Sequence, residues 1–360
     1  MSVSPWPTRW TGAVAKFYPS KLQGKSLKTF FVVAQLKFGL LLPHFCELAS
    51  VEKCLEGSQQ AEAYGFDSVW VRDHIVFKPH EIEGNDNTHI EGFLILSAVS
   101  SVTQKITLGT AMTICHRHPI HLAQLIAGLS VIAQGRVILG IGLGGFAHEF
   151  AAVGRPTSLP DRAKLVKANI EICRRLWAGE KVTYSSDDFS FENIALKPTP
   201  AKDIPIWIGG GSAAACRRAV ELGTGWMPAR INLTTFARRV DYLRELCRRA
   251  NKPMLQTAVM PLTSIGESRE TSLRGINVKA LSDESQRFTS WVNSPSAIFS
   301  PEETARGILL AGTPADIVRE TQAYAESGAD HIVYDLRLRY ADWQEQLKIL
   351  GTEVLPALRG

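Results

Sequence analysis

Asp73 and His74 are the pair of residues in this sequence with the clearest capacity for chemistry. They follow Arg72 at the end of the mostly apolar residues 68–71, which predict a buried strand, and a long polar loop comes after them. Parallel α/β folds carry their catalytic groups at the carboxyl ends of strands, and an imidazole titrates near neutral pH. His74 is therefore a candidate general acid or base. In the alternative interpretation, Asp73 caps a turn and His74 only packs against its neighbours.

A first glycine cluster, at residues 137–145, contains the spacing G-x-G-x-x-G after a predicted strand. A dinucleotide-binding site needs this motif on the first strand of a βαβ unit, with an acid about 20 residues further on. Here the motif follows the fourth predicted strand, and no matching acid ends the next one. Gly142, Gly144 and Gly145 instead predict a backbone kept free of side chains, against which a flat ring system can lie. A glycine-rich tight turn is the alternative.

A second cluster, Gly209, Gly210 and Gly211, lies between the predicted strand 204–208 and a helix that begins near Ser212. Exposed N–H groups at a helix N-terminus, together with a serine hydroxyl, can bind a phosphate group. No Gly-Lys-Ser/Thr follows, which excludes a nucleotide P-loop. We predict that this segment binds a cofactor phosphate. Here too a simple turn is the alternative.

Residues 115–121 contain one cysteine and three histidines, which are residue types that bind zinc. They lie beyond the end of a predicted strand, and no set of His or Asp residues follows the later strands, where Asp335 stands alone. Because proline is favoured in the first turn of a helix, His118 and Pro119 instead predict a helix start. We expect no metal, which disfavours a metal-dependent barrel hydrolase.

The composition describes a soluble globular protein, since 45% of the 360 residues are hydrophobic and 21% are charged. No apolar run approaches the ~20 residues that span a bilayer. The net charge of +5 is modest and the basic residues follow amphipathic helix patterns, which predicts neither nucleic acid nor a membrane as partner. The six cysteines form no C-x-x-C pair, so we expect free thiols and a cytoplasmic location.

Short apolar runs alternate with amphipathic segments from residue 37 onward, which is typical of parallel strands joined by helical crossovers. Eight such units predict an α/β protein with a (β/α)8 TIM barrel at residues 37–360. Two insertions interrupt the pattern: an acidic hairpin near 182–191 and a polar, aperiodic, lid-like segment near 263–300. Residues 1–36 contain no acid and predict a disordered or mis-started N-terminal extension. The predicted strands are 37–42, 67–71, 106–113, 137–141, 204–208, 225–228, 255–262 and 330–336.

With these pieces in order, the chain resembles the bacterial-luciferase-like superfamily of flavin- and deazaflavin-dependent oxidoreductases, from about Lys37 to the C-terminus. The Asp-His pair after the second strand resembles the pair found in the branch of the superfamily that uses the deazaflavin coenzyme F420. The FMN monooxygenases more often have Glu-His at this position. The segments that carry the resemblance are 37–43, 70–74, 108–111, 117–119, 135–136, 140–144, 149–150, 206–210 and 225–226.

The resemblance implies a ring system at the mouth of the barrel, with Asp73 and His74 in contact with it and Asp73 orienting His74. It implies a cis peptide bond between Ala111 and Met112, on the bulge that carries the ring, and a phosphate at residues 209–212. The cofactor-binding residues predicted in this way are Gly109, Thr110, Ala111, Met112, Gly142, Gly144, Gly145, His148, Gly209, Gly210, Gly211 and Ser212.

Relatives that oxidise sugar phosphates carry an acid near Gly145, where this chain has Gly145 followed by Phe146. The resemblance therefore disfavours a sugar-phosphate dehydrogenase. His148 and Glu149 are candidate substitutes for the missing acid.

The leading hypothesis is an oxidoreductase that transfers hydride between F420 and an unidentified small organic molecule with a fairly apolar surface. The alternative enzyme is an FMN-dependent monooxygenase that uses O2 and reduced flavin. A barrel that binds a ligand without turnover is a third interpretation, which the intact Asp73-His74 pair and both glycine clusters disfavour. The resemblance also implies a homodimer and, as a further partner, a flavin or F420 reductase.

Overall fold

The computed structural model describes residues 36–80, 82–228, 230–285, 291–292 and 308–360. Strands and helices alternate along almost the whole of this length. In chain order they are β1 Lys37–Leu41, α1 Val51–Ala63, β2 Ser68–Val71, α2 Gly92–Val102, β3 Thr107–Thr110, β4 Thr113–Ile114, α3 Pro119–Ile132, β5 Val137–Gly142, α4 Ala147–Ala152, α5 Leu159–Trp177, β6 Val182–Ser185, β7 Ser190–Ile194, β8 Ile206–Gly209, α6 Ala213–Leu222, β9 Gly225–Met227, α7 Leu233–Arg249, β10 Gln256–Val259, β11 Leu262–Ile265, α8 Arg269–Leu273, α9 Val278–Ser285, β12 Leu309–Gly312, α10 Pro314–Glu326, β13 His331–Tyr334, a 3₁₀ helix Arg337–Asp342, α11 Trp343–Ile349, a π-helical turn Leu350–Val354 and α12 Leu355–Arg359.

Eight parallel strands close into a barrel in the order β3, β2, β1, β13, β10, β9, β8 and β5. The ring closes where β3 pairs with β5, with Leu108 opposite Val137 and Gly109 opposite Ile138. Because every pair in the ring is parallel, the carboxyl ends of all eight strands lie at one rim. The predicted (β/α)8 barrel is confirmed, and a barrel strand lies at each of the eight predicted positions.

The barrel interior is filled by aromatic side chains that face glycines on neighbouring strands. The rings of Trp70 and Trp207 lie 5.2 Å apart across the interior. A Cβ atom on Gly109 would lie 2.2 Å from the Trp70 ring, and one on Gly225 would lie 2.4 Å from the Trp207 ring. These glycines are therefore required by the width of the indoles, since interiors are packed without spare volume.

Two of the predicted strands are divided. The single strand predicted at 106–113 is wrong, because β3 and β4 are separated by the peptide bond between Ala111 and Met112. That bond is cis, as predicted. The strand predicted at 255–262 ends at Val259, and the chain then forms β11, which pairs with β12 outside the barrel.

The two predicted insertions have different outcomes. A hairpin of β6 and β7 occupies the position of the first, although its second strand extends to Ile194. The expectation of an aperiodic segment at 263–300 is wrong for its described part, which contains β11, α8 and α9. Apolar residues that are widely separated in the sequence stabilise this region as a second, smaller core. Its buried members are Leu262, Leu281, Trp291, Ile308, Leu309 and Ala311.

The predicted N-terminal extension lies outside the described residues, apart from Leu36. Within the described part of the chain, no helix combines the length and the apolar character needed to cross a membrane.

Gly57 provides a test of how α1 packs on the barrel. A Cβ atom at this position would lie 2.3 Å from the ring of the fully buried Trp343. Alanine is favoured over glycine in a helix by about 1 kcal/mol, but overpacking costs about 1–3 kcal/mol. We expect Gly57→Ala to lower the free energy of unfolding in urea titrations. The exposed neighbour Gln59 is the control, and Gln59→Ala should change this free energy little. A stabilised Gly57→Ala protein would contradict this packing.

Candidate active site

A cavity of about 560 Å³ lies at the rim formed by the carboxyl ends of the strands. Ten of the fourteen residues predicted for the site line it. They are Asp73, His74, Ala111, Met112, Gly142, Gly144, Gly145, Gly209, Gly210 and Ser212.

The four other predicted residues do not line the cavity. Gly109 lies against the ring of Trp70. The hydroxyl of Thr110 donates to the carbonyl of Gly140 at 2.9 Å and so joins β3 to β5. Gly211 accepts a hydrogen bond from Arg239. Gly109 and Thr110 therefore lie beneath the cavity and support it, and they do not form its surface.

His148 is the fourth of these residues. It lies on α4, and its Nε2 is 2.9 Å from the carbonyl oxygen of Val76. This contact ties α4 to the loop that follows β2.

The glycines of the rim make room for the bulge that contains the cis peptide bond. A Cβ atom on Gly140 would lie 1.9 Å from the carbonyl oxygen of Thr110, and one on Gly209 would lie 2.8 Å from the Met112 side chain. At Gly145, by contrast, a Cβ atom would meet nothing within 4 Å. Close packing therefore explains the first two glycines, whereas Gly145 leaves open space at the cavity.

His74 is held by a carboxylate that the sequence does not place beside it. Its Nδ1 lies 3.2 Å from Oε2 of Glu149, whose side chain is fully buried. The same carboxylate accepts a hydrogen bond from the N–H of Ile75 at 2.9 Å. The expectation that Asp73 orients His74 is thus corrected, because Glu149 makes this contact.

The hydrogen bonds of His74 also define its protonation. Nη2 of Arg72 lies 3.0 Å from Nε2 of His74, and a guanidinium can only donate. Nε2 must therefore accept, and Nδ1 carries the proton that is donated to Glu149. His74 is consequently a neutral imidazole with its proton on Nδ1.

Burial governs the titration of His74. Its ring lies between Phe77 and Phe146, with centroids 5.1 Å and 5.6 Å away. This burial lowers the pKa of His74 below its ordinary value of 6.5, and the hydrogen bond to Glu149 opposes the shift only in part. Burial acts to raise the pKa of Glu149, but hydrogen bonds from His74 and two backbone N–H groups outweigh it and lower the pKa.

Asp73 has a different set of partners. Its Oδ2 accepts a hydrogen bond from the N–H of Ile114 at 2.8 Å and forms an ion pair with Arg117. Arg117 also contacts Glu91 at the start of α2, at 2.8 Å. Asp73 therefore joins the end of β2 to β4 and to the N-terminal end of α3.

A buried ionic network forms one wall of the cavity. Glu83, whose side chain is 1% exposed, forms ion pairs with both Arg72 and Arg337. Nε of Arg337 donates to Asp335 at 2.7 Å. Burial acts to raise the pKa of Glu83, but the two guanidinium charges outweigh it and hold the pKa far below the ordinary value of 4.5.

A second ionic cluster joins three segments at the cavity. Glu284 on α9 contacts Arg230 through both carboxylate oxygens, at 2.7 Å and 2.8 Å. It also lies 2.5 Å from Nδ1 of His80. Burial acts to raise the pKa of Glu284, yet these two partners lower it to about 2. The loop after β2, the loop after β9 and the second core are thereby held together.

The predicted phosphate-binding segment ends in a capped helix. Oγ of Ser212 accepts a hydrogen bond from the N–H of Ala215 at 3.2 Å, so Ser212 is the N-cap and α6 begins at Ala213. The carbonyl of Gly210 accepts a hydrogen bond from the Trp226 indole at 2.8 Å. The first N–H groups of a helix have no partner within it, and they lie here beside the cavity.

Of the three histidines at 115–121, His118 has a clear structural role. His118 is the N-cap of α3 and Pro119 occupies its first turn, which confirms the predicted helix start. Across the described ranges, no group of three or more His, Cys, Asp or Glu side chains has a metal-binding arrangement.

The sequence matches the family model described as luciferase-like monooxygenase over residues 36–331, which is most of the chain. The chain belongs to the luciferase-like monooxygenase family. Membership confirms the predicted resemblance and makes the chain an oxidoreductase. An F420-dependent glucose-6-phosphate dehydrogenase of Nakamurella multipartita is 27% identical over 315 residues, which cover 83% of this chain and 90% of that protein.

Solved structures share the fold. An F420-dependent secondary alcohol dehydrogenase in complex with an F420-acetone adduct gives a TM-score of 0.75 at 22% identity, covering 91% of this chain and 100% of that one. The oxygenating constituent of 3,6-diketocamphane monooxygenase from Pseudomonas putida, in complex with FMN, gives 0.72 at 17% identity, covering 89% and 98%. Such identities establish a common family fold and leave the substrate open.

Removing the charge of Glu83 should destabilise the protein. We expect Glu83→Gln to lower the free energy of unfolding by about 3–5 kcal/mol, since it leaves two buried guanidinium groups without their shared partner. The depressed pKa means that this stabilisation is complete above pH 4.5 and is lost as the pH falls below it. Urea titrations at several pH values measure both effects.

Glu245 is the control for this substitution, because it pairs with Arg248 on the exposed face of α7. Glu245→Gln should leave the free energy of unfolding nearly unchanged. Equal effects of the two substitutions would contradict a stabilising role for the buried network.

Proposed function

We propose that this chain is an F420-dependent oxidoreductase that transfers hydride to or from a small, uncharged organic substrate. The observation that carries the proposal is the neutral His74 at the cavity rim, hydrogen-bonded to a buried carboxylate and preceded by the Asp73 of the F420-using branch. Its relative in Nakamurella multipartita, named as F420-dependent, supports the choice of cofactor.

The residues present fit a ring system that carries a phosphate tail. Open space at Gly145 and the backbone of Ala111 and Met112 provide a surface for a flat ring. The start of α6, at residues 209–212, provides N–H groups for a phosphate. When bound, a deazaflavin supplies a ring carbon that accepts or donates hydride.

His74 then acts as the base in the oxidation of an alcohol. A substrate hydroxyl that displaced the Arg72 guanidinium from Nε2 would donate its proton to that nitrogen, and a bound deazaflavin would supply the acceptor for the hydride that the substrate carbon loses. The lowered pKa of His74 keeps the imidazole neutral, and therefore able to accept, at pH 7. Glu149 fixes the tautomer and stabilises the imidazolium that forms. In the reverse direction the same nitrogen returns the proton.

The charges of the cavity favour an uncharged substrate. Arg72, Arg230 and Arg337 line the cavity, and each pairs with a carboxylate, as the ion pairs with Glu83, Glu284 and Asp335 indicate. Apolar side chains occupy much of the remaining wall. The cations near His74 are therefore already compensated, which disfavours a sugar phosphate. The apolar lining residues include Phe146, Met227 and Met260.

The second candidate function is an FMN-dependent monooxygenase. The structural neighbour from Pseudomonas putida that contains FMN favours it. This function would require O2 and a reductase partner that supplies reduced flavin. The F420 function would need a partner only to regenerate the coenzyme.

A comparative titration with F420 and FMN, followed by tryptophan fluorescence, tests the cofactor. We expect tighter binding of F420, and turnover of F420 with uncharged alcohols or ketones but little with glucose 6-phosphate. Tighter binding of FMN with O2 consumption would replace the proposal by the monooxygenase function. A protein that binds neither F420 nor FMN would contradict both candidate functions.

Substitution at His74 and Glu149 tests the proton transfer. We expect His74→Ala to bind the cofactor like the parent and to lose about 10²- to 10⁴-fold in kcat. In the parent, kcat/KM for alcohol oxidation should rise with pH to a plateau, with the midpoint of the rise below 6.5, because burial lowers the pKa of the base. Glu149→Gln should shift this rise to lower pH, since the carboxylate raises the pKa of His74. If Glu149→Gln has the same pH profile as the parent, the proposed effect of Glu149 on the pKa of His74 is wrong.

We also propose a homodimer formed through α2 and α3. These adjacent helices contain no Asp, Glu, Lys or Arg, whereas the outer faces of α5 and α7 are rich in charge. Leu94, Val131 and Ile132 are exposed on them, with Leu94 at 69%. A large apolar surface without charges is typical of a protein interface.

Leu94→Glu tests this interface. A buried glutamate in the dimer would lack a partner, so we expect the variant to sediment as a monomer while its far-UV circular dichroism stays unchanged. Leu159, 56% exposed at the start of α5, is the matched control, and Leu159→Glu should remain dimeric. A parent protein that sediments as a monomer would end the proposal.

A further inference from the structure

Arg218 differs from the other arginines that line the cavity. Within the part of the chain that the structure describes, it forms no hydrogen bond or ion pair, whereas Arg72, Arg230 and Arg337 each contact a carboxylate. Its side chain is half-buried. A guanidinium stays protonated in proteins, so Arg218 brings a positive charge to the cavity wall. Glu221 attracts this charge, but its ion pair is with Lys167.

The position of Arg218 on α6 shows which part of the cavity wall carries this charge. Ser212, Ala215 and Arg218 all line the cavity, and a spacing of three residues places them along one face of the helix. Gly210 lines the cavity immediately before this face. Arg218 thus lines the same cavity as the start of α6. Burial lowers the pKa of Arg218, and the attraction of Glu221 opposes this shift only in part.

The adjacent residue shows that this orientation belongs to position 218 and not to the helix as a whole. Arg217 is exposed and does not line the cavity. It donates a hydrogen bond to the hydroxyl of Tyr242 on α7, at 3.1 Å. Two neighbouring arginines therefore have opposite environments, one bonded at the surface and one directed into the cavity.

We infer that Arg218 binds the phosphate of the cofactor and supplies the charge that distinguishes a phosphorylated ring system from its phosphate-free form. The inference rests on the proposed function for the identity of the ring, but the phosphate chemistry is common to F420 and FMN. The planar guanidinium can donate two parallel hydrogen bonds to phosphate oxygens. The phosphate in turn gives Arg218 a hydrogen-bonded anionic partner, which no carboxylate among the described residues provides.

Binding measurements on Arg218→Gln and Arg217→Gln test the inference. Each protein is titrated with F420 and with the same deazaflavin lacking the phospholactate tail, and in parallel with FMN and riboflavin. We expect Arg218→Gln to weaken binding of the phosphorylated form about ten- to a hundred-fold and to leave the phosphate-free form unchanged. Arg217→Gln should bind all four compounds like the parent. Raising the salt concentration should reduce the advantage of the phosphorylated form in the parent and in Arg217→Gln, but not in Arg218→Gln.

The design separates this inference from the proposed function. A parent that prefers FMN overturns the F420 function, while Arg218 is still judged by the FMN and riboflavin pair. If the parent binds neither ring, inorganic phosphate alone is the probe, and it should raise the Tm of the parent and of Arg217→Gln more than that of Arg218→Gln. The inference is overturned if Arg218→Gln discriminates between the phosphorylated and phosphate-free forms as well as the parent does. It is also overturned if phosphate-free binding falls equally, or if phosphate stabilises all three proteins alike.

Discussion

The hydrogen-bonded pairing of β3 with β5 is the contact on which the rest of the site depends. It closes the sheet, and closure brings the end of β2, the bulge after β3 and both glycine clusters to one rim. Thr110 reinforces it through two hydrogen bonds with the backbone of Gly140, as acceptor and as donor. An open sheet of the same strands would place β3 and β5 at opposite edges. The residues that line the cavity would then no longer lie together at one rim.

Buried carboxylates determine the electrostatics of this rim. Glu83 and Glu149 are both inaccessible to solvent, and each compensates groups from the loop after β2. Burying an unpaired carboxylate costs several kcal/mol, so these acids are stable only because guanidinium, imidazole and backbone N–H groups surround them. The result is a neutral His74 of known tautomer beside cations that are already paired. Arg218, without such a partner, is the exception.

The sequence predicts the fold well and the site in part. The eight strands appear because each is a short apolar run followed by an amphipathic segment, and Asp73-His74 and the glycine clusters appear because they directly follow those runs. The contact between His74 and Glu149 is not predictable in this way, since the two residues are 75 positions apart. The same holds for Glu83 and Arg337, which are 254 positions apart. In the sequence, Glu149 is part of the family resemblance and a candidate substitute for a missing acid, and neither pattern indicates its contact with His74. The second core was missed because its apolar residues are spread over residues 262–311, with no local period.

Side chains from several other segments anchor the loop after β2. Glu149 binds its beginning at Ile75, Arg337 binds Glu83, and Glu284 contacts His80. Loops at the catalytic face of a barrel usually vary independently of one another, which lets one scaffold acquire many chemistries. In this chain the loop has lost that independence. Transplanting it into a related barrel would therefore require simultaneous changes in α4, in α9 and after β13, because these segments are joined to the loop by hydrogen bonds and ion pairs.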